Sequence, residues 1–548
     1  MQNKYIVSGR SKFRPHVFHY LRLALIMIIM PLSGCRQSQS VPPAPAHAAG
    51  NIASMTITDY PASIPNPTPA LPEPDNDWPE SSPEQQGMDS VKLSELFKAV
   101  QNQEINIHSI LIARHGYLIF ESYFHPFDRE SLHEIYSCTK SVTSAAVGIA
   151  AQEGLVNDLD TPLYTYFPDL ELDDADKKSI NIRHLLTMTS GLEWMEPLRS
   201  GLNDEWAMTT SQQPAQYFLE RPLADPPGSL FNYNTGGSHM LALLLQRVSG
   251  EDTAAYTSRW LFSPLNIQQF TWQQDEQGNS LGGRGLALRS RDLLKFGQLY
   301  LQQGVWSGKQ ILASEWVKES TRPWIDTRSG IFYGYQWWVR QNGVYQALGW
   351  GGQQVIVFPE QDMVVVVTAG LRNAAWNSYD MLLDQYILPA VQSDQPLPVN
   401  PNAEQTLKTQ IESTAHPPTQ TAAALPALAQ QISGQTYLNL NGSQGWSTFT
   451  FHFEQPDEAR LDLAYDNDDL SLRVGLDGLY RVNATPHNGP LALQAYWQDA
   501  NTLVVIQQFL QEAERIKMQM TFNETGIEQT STWTVEDYRE ESQSLLMR

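Results

Sequence analysis

Ser137 and Lys140 are the residues whose types and spacing point most directly to chemistry. They open the run Ser137-Cys138-Thr139-Lys140-Ser141-Val142, and small and apolar residues fill the stretch from Ser141 to Ala151. This composition predicts a helix that starts near Ser137, is buried on most sides and stops at Gly154. Residues three apart share a helix face, so Lys140 stands one turn above Ser137. A serine at its ordinary pKa is a weak nucleophile and needs a proton acceptor. A lysine accepts a proton only when neutral, and burial favours the neutral form. The helix N-terminus adds free N–H groups and a positive dipole end, which favour the oxyanion formed during attack. An isolated Ser-x-x-Lys is more simply an N-cap serine and a solvated lysine. Lys140 is the one lysine in the chain with a serine three residues before it.

The surrounding pattern is that of a mixed α/β unit running from Trp78 to about Ala390. Ser90 to Gln101 reads as a helix, and Ile107–Ala113 with Tyr117–Tyr123 reads as a hairpin around His115-Gly116. A helix is expected from Ser238 to Val248, stopped by Gly250, and another from Arg289 to Leu301, opened by Ser290. Val344–Leu348 and Gln354–Phe358 read as strands flanking Gly349-Trp350-Gly351-Gly352, and Val364–Val367 reads as a strand buried on both faces. Strands at both ends with helices between suggest one sheet built from the two ends of the unit.

These segments occur in an order that resembles the serine β-lactamase-like hydrolases: class C β-lactamases, DD-peptidases, related esterases and 6-aminohexanoate-dimer hydrolase. The resemblance rests on Ser137-Cys138-Thr139-Lys140, Arg183-His184-Leu185-Leu186-Thr187-Met188-Thr189-Ser190-Gly191, Tyr233 after Pro226-Pro227-Gly228, and Gly349-Trp350-Gly351-Gly352-Gln353. It covers roughly residues 77–392. It implies an α/β (α+β) fold with a β-lactamase/transpeptidase-like antiparallel sheet and a helical subdomain, and a serine hydrolase (amidase or esterase). It further implies Ser137 as the acylated nucleophile, Lys140 and Tyr233 as the groups that manage its proton, and no cofactor or metal. Trp350, Gly351 and Gly352 fall on the oxyanion and substrate wall, with the backbone N–H of Gln353 as oxyanion donor beside that of Ser137. The chain departs from the class C pattern twice. Thr235 stands where Tyr-x-Asn has asparagine, and Trp350-Gly351-Gly352 replaces Lys-Thr-Gly. Losing that lysine argues against efficient β-lactam turnover and for a different amide or ester. A non-catalytic penicillin-recognising or envelope-binding protein of the same fold is the alternative.

A competing motif is Gly278-Asn279-Ser280-Leu281-Gly282, which fits the Gly-x-Ser-x-Gly nucleophile elbow. That elbow needs an apolar strand before it and a helix after it. Gln273–Gln277 precedes and Gly283-Arg284-Gly285 follows, so a polar loop is expected. Cys138 reads as a small core residue.

Residues 1–22 carry five basic and no acidic residues, followed by Leu23–Met30 and then Leu32-Ser33-Gly34-Cys35. A charged start, a short apolar run and small residues before a cysteine resemble a bacterial lipoprotein signal peptide. The resemblance implies removal of residues 1–34, a lipid anchor on Cys35 and a place in the bacterial cell envelope on the extracytoplasmic, periplasmic side. Residues 35–76 are proline-rich and read as a tether, 393–432 as a second linker, and 433–548 as a small antiparallel β domain of short alternating strands. The formal net charge of −23 excludes a nucleic-acid partner, since phosphate contacts need a basic face.

Overall fold

The computed structural model describes residues 78–102, 105–196, 203–372, 382–440, 446–465, 469–486 and 489–547. Two sheets organise them. The first has eight strands: β1 (Ile107–Arg114), β2 (Tyr117–Tyr123), β3 (Ile325–Asp326), β4 (Phe332–Tyr333), β5 (Trp338–Val339), β6 (Tyr345–Gly349), β7 (Gln353–Phe358) and β8 (Met363–Ala369). Their order is β2-β1-β8-β7-β6-β5-β4-β3, with every pairing antiparallel. β1 therefore lies beside β8, which makes one sheet from the two ends of the unit, as the sequence suggests.

Helices cover both faces of this sheet. Along β8, Val364 and Val366 pack with α2 (Cys138–Gln152), α3 (Thr235–Ser249) and α4 (Ser290–Leu301). Val365 and Val367 pack on the opposite side with α1 (Ser90–Asn102). This period-two alternation with two apolar faces explains the unbroken Val364–Val367 run. α2 is buried along nearly its whole length, so its neighbours limit side-chain size. A Cβ on Gly148 would lie 2.5 Å from the Trp316 ring.

Three boundaries differ from the sequence reading. α3 begins at Thr235 rather than Ser238, because Asn234 caps it by accepting from Gly237 N at 2.9 Å. Arg289 takes the N-cap position of α4, and Ser290 Oγ instead meets Ser109 Oγ at 2.8 Å. The stretch 393–432, expected to be a linker, holds two packed helices. Asn400 caps α5 (Pro401–Ala415), Pro401 occupies its first turn, and Ala403, Leu407 and Ile411 give it an apolar stripe at i, i+4, i+8. Leu407 is buried with the α1 side of the core. The Ala427–Ile432 helix puts Ala429 and Ile432 into the core of the carboxyl-terminal domain.

Among the described residues that domain carries ten strands from Thr436 to Leu546, and neighbours in the sheet order pair antiparallel. The strand Asp469–Gly475 at one end of the order also pairs with Leu491–Trp497 through Gly475 and Gln494, closing the sheet into a barrel. Among the described residues, no helix is long and apolar enough to cross a membrane.

Because Leu407 is the buried anchor of α5, Leu407→Ala should destabilise the protein by about 2–5 kcal/mol in denaturant unfolding. A change well under 1 kcal/mol would mean that α5 lies on the unit without supporting it.

Candidate active site

Ser137 occupies the N-cap position of α2 with a helical φ of −65°. The residue before it, Tyr136, has φ +45°, a region that bulky side chains rarely adopt. This backbone turn brings Ser137 to a half-buried position at the head of a buried helix. Lys140 is 1% exposed. Its Nζ donates to Ser137 Oγ at 3.0 Å and to the Gly283 carbonyl at 2.9 Å.

The Gly278–Gly285 loop supplies that second partner. Thr143 Oγ1 on α2 donates to the Gly282 carbonyl at 2.8 Å and fixes the loop against the helix. A Cβ on Gly283 would lie 2.5 Å from Thr235 Cγ2 and 3.3 Å from Lys140 Nζ, so only glycine fits there. The competing serine is structural. Ser280 is buried, and its Oγ donates to Asp252 at 2.7 Å while its N–H donates to the same carboxylate at 3.0 Å.

Tyr233 precedes α3 and comes to the same place, with Lys140 Nζ 4.9 Å from its ring centre. Burial pushes its phenol pKa up, while the positive charge of Lys140 and hydrogen bonding with Ser137 pull it back down. Tyr233 stacks on Trp338 at 5.8 Å and meets Tyr333 edge-on at 6.4 Å, and Phe231 packs against both of those rings. Glu196 lies beside this group. It accepts from Trp194 Nε1 at 2.8 Å and from Thr235 N at the head of α3. Burial raises its carboxyl pKa, and the charge of Lys140 opposes that rise.

The glycine-rich segment forms the turn between β6 and β7. Gly351 and Gly352 have φ +73° and +97°, values that require glycine. The Trp350 ring meets the Tyr136 ring at 5.1 Å, next to the nucleophile. Gln353 is fully buried. Its Nε2 donates to the carbonyls of Trp350 at 2.9 Å and Ala369 at 2.8 Å, and its Oε1 accepts from Ala369 N at 3.0 Å. The side chain therefore ties the turn to β8.

Ser137, Lys140, Tyr233, Trp350, Gly351, Gly352 and Gln353 thus converge on one place, while Cys35 lies outside the described residues. Cys138 is buried, and burial pushes its thiol pKa up. Sequence reasoning missed Glu196, Gly283 and the Phe231–Tyr333–Trp338 wall. The one available signal was the aromatic density of Phe332-Tyr333-Gly334-Tyr335-Gln336-Trp337-Trp338.

Comparison with known proteins identifies the family. A family model described as Beta-lactamase matches residues 93–379, more than half of the chain. A 6-aminohexanoate-dimer hydrolase of Paenarthrobacter ureafaciens is 24% identical over 287 residues, which is 48% of this chain and 72% of the relative. Esterase EstB of Burkholderia gladioli is 24% identical over 205 residues, 33% of this chain and 52% of the relative. Among solved structures, a putative 6-aminohexanoate-dimer hydrolase from Bacillus anthracis aligns with a TM-score of 0.50 and 22% identity, covering 61% of this chain and 92% of that one.

The close fit at Gly283 makes it a test of how Lys140 is held. Gly283→Ala should lower kcat by roughly 10–10²-fold, the scale of a small misplacement of a reacting group. Wild-type kcat in a folded Gly283→Ala variant would show that the Gly283 carbonyl does not set the position of Lys140.

Proposed function

This chain belongs to the beta-lactamase family, and we propose that it is a serine hydrolase that cleaves an amide or ester through an acyl-enzyme on Ser137. The observation that carries this reading is the 3.0 Å contact between Lys140 Nζ and Ser137 Oγ at the head of a buried helix. Ser137 Oγ attacks the substrate carbonyl carbon, and its proton passes to the Lys140–Tyr233 pair. The two groups share the proton as one unit. The backbone N–H groups of Ser137 and Gln353 are assigned to the developing oxyanion. Collapse of the tetrahedral intermediate breaks the bond to the leaving amine or alcohol, which takes up the proton. Water then attacks the acyl carbon while the same pair takes its proton, and the bond to Ser137 Oγ breaks as that proton returns to the serine, releasing the acid. The relatives named as hydrolase and esterase support this reaction class. A purely binding role leaves the buried lysine against the serine without a purpose.

The substrate side favours a compound other than a β-lactam. Trp350 stands where the class C pattern has a lysine that holds the β-lactam carboxylate. Phe231, Tyr233, Tyr333 and Trp338 form an aromatic cluster beside Lys140, with Tyr333 buried behind it, and Glu196 places no cation there to hold an anionic group. We therefore assign an uncharged or cationic acyl substrate of modest size. The enzyme is held outside the cytoplasm by lipid on Cys35.

Two measurements test these assignments. p-Nitrophenyl esters or linear amides should be hydrolysed with kcat/KM well above that for cephalosporins. A cephalosporin value on the order of 10⁷ M⁻¹s⁻¹ would overturn the substrate assignment. Metabolic palmitate labelling should mark the wild-type chain and be lost in Cys35→Ala, whereas label retained in that variant removes the anchor.

A further inference from the structure

Among the described residues the carboxyl-terminal barrel shows no catalytic set of its own, yet one of its turns lies against the active site. The turn joins the strands Thr502–Phe509 and Arg515–Phe522. It is rigid from within the barrel. Glu514 accepts from the backbone N–H groups of Arg515 at 3.0 Å, Val535 at 2.9 Å and Glu536 at 3.3 Å. Gln508 Nε2 donates to the Glu514 carbonyl at 3.1 Å.

Several contacts tie this turn to the catalytic unit. Glu134 N, three residues before the nucleophile, donates to the Gln511 carbonyl at 2.8 Å. Ala513 N donates to the Tyr136 hydroxyl at 3.2 Å. The Ala513 methyl packs into the glycine turn, where a Cβ on Gly351 would lie only 2.4 Å from it. Next to β8, a Cβ on Gly370 would lie 2.3 Å from the Ala513 carbonyl. Leu510 packs with Ala492 and Phe127 beside these contacts.

The segments held in this way carry the reacting groups. Tyr136 has a left-handed backbone immediately before Ser137, and such a conformation persists only where its surroundings enforce it. The Gly349–Gln353 turn sets the other side of the site. One barrel turn therefore touches both walls between which the acyl carbon must fit, where small displacements are costly in rate.

We infer that the Leu510–Glu514 turn is a positioning element of the catalytic site: its grip on Tyr136 and Gly351 holds Ser137 and the glycine turn in register. This rests on Ser137 being the nucleophile. The barrel then acts in catalysis as a fixed part of the active-site frame, beyond its role in packing.

The test uses the full chain and reads kcat, KM and thermal midpoint on p-nitrophenyl acetate. Tyr136→Phe removes the acceptor of Ala513 N without adding volume, and Ala513→Leu pushes on the glycine turn. Val505→Ala, in the barrel core on the strand that leads into this turn but outside the turn itself, is the control for general loss of stability. Tyr136→Phe and Ala513→Leu should each lower kcat roughly tenfold with KM within about twofold, while Val505→Ala keeps kcat at a comparable midpoint loss. If both turn variants keep wild-type kcat, or lose it only as far as Val505→Ala does, the turn is ordinary packing and the inference fails. Should Ala513→Leu not fold, Tyr136→Phe decides alone. Failure of the wild-type chain to acylate at Ser137 would refute the nucleophile assignment itself, a result distinct from wild-type kcat in the two variants.

Discussion

A lysine buried beneath a serine is the constraint on which the rest of this structure depends. Taking an amine out of water is costly unless its donors are met. Lys140 is 1% exposed, and the Ser137 hydroxyl and the Gly283 carbonyl meet its Nζ at 3.0 and 2.9 Å. Much else follows from keeping that arrangement. α2 is made of small residues so that it can sit inside the core. Gly283 has no side chain so that its carbonyl can approach, and Thr143 fixes the loop that carries it. Tyr233, just before α3, and Glu196, which accepts from Thr235 N at the head of α3, lie beside the same amine, and burial raises the pKa of each while the charge of Lys140 opposes that rise.

The sheet explains how distant segments share the site. Ser137 follows β1 and β2 near the start of the unit, while the glycine turn joins β6 and β7 near its end. Pairing of β1 with β8, and of β8 with β7, closes that gap in sequence. Gln353 reinforces the closure by tying the turn to Ala369 at the end of β8. The barrel turn at Ala513 meets the same corner from outside, so the site is framed by three parts of the chain.

Much of this was legible in the sequence because the relevant signals are local. The small-residue run after Ser137, the hairpin around His115-Gly116 and the Val364–Val367 strand carry their structure in periodicity and turn chemistry. The glycine turn is legible for the same reason, since φ +73° at Gly351 and +97° at Gly352 exclude other residues. Features that depend on tertiary approach were not legible. The helix is expected to begin at Ser238, yet Thr235-Gly236-Gly237 forms the first turn of α3. Gly236 is small there because a Cβ would lie 2.3 Å from the Trp194 ring, a contact no local pattern announces. Glu196 sits in an irregular segment whose role appears only when Thr235 arrives beside it. α5 lies in a stretch whose polar composition outweighs its three-residue apolar stripe, so it resembles a linker until α1 is found packed against Leu407.

The central claim is that Ser137 is the nucleophile and that Lys140 activates it. The most direct measurement is peptide mapping by mass spectrometry after reaction with a fluorophosphonate, following the rate of adduct formation. The account predicts one adduct on the peptide carrying Ser137, none in Ser137→Ala, and a rate at least ~10²-fold lower in Lys140→Ala, the scale of general-base assistance. An adduct on Ser280, or an undiminished rate in a folded Lys140→Ala variant, would contradict it.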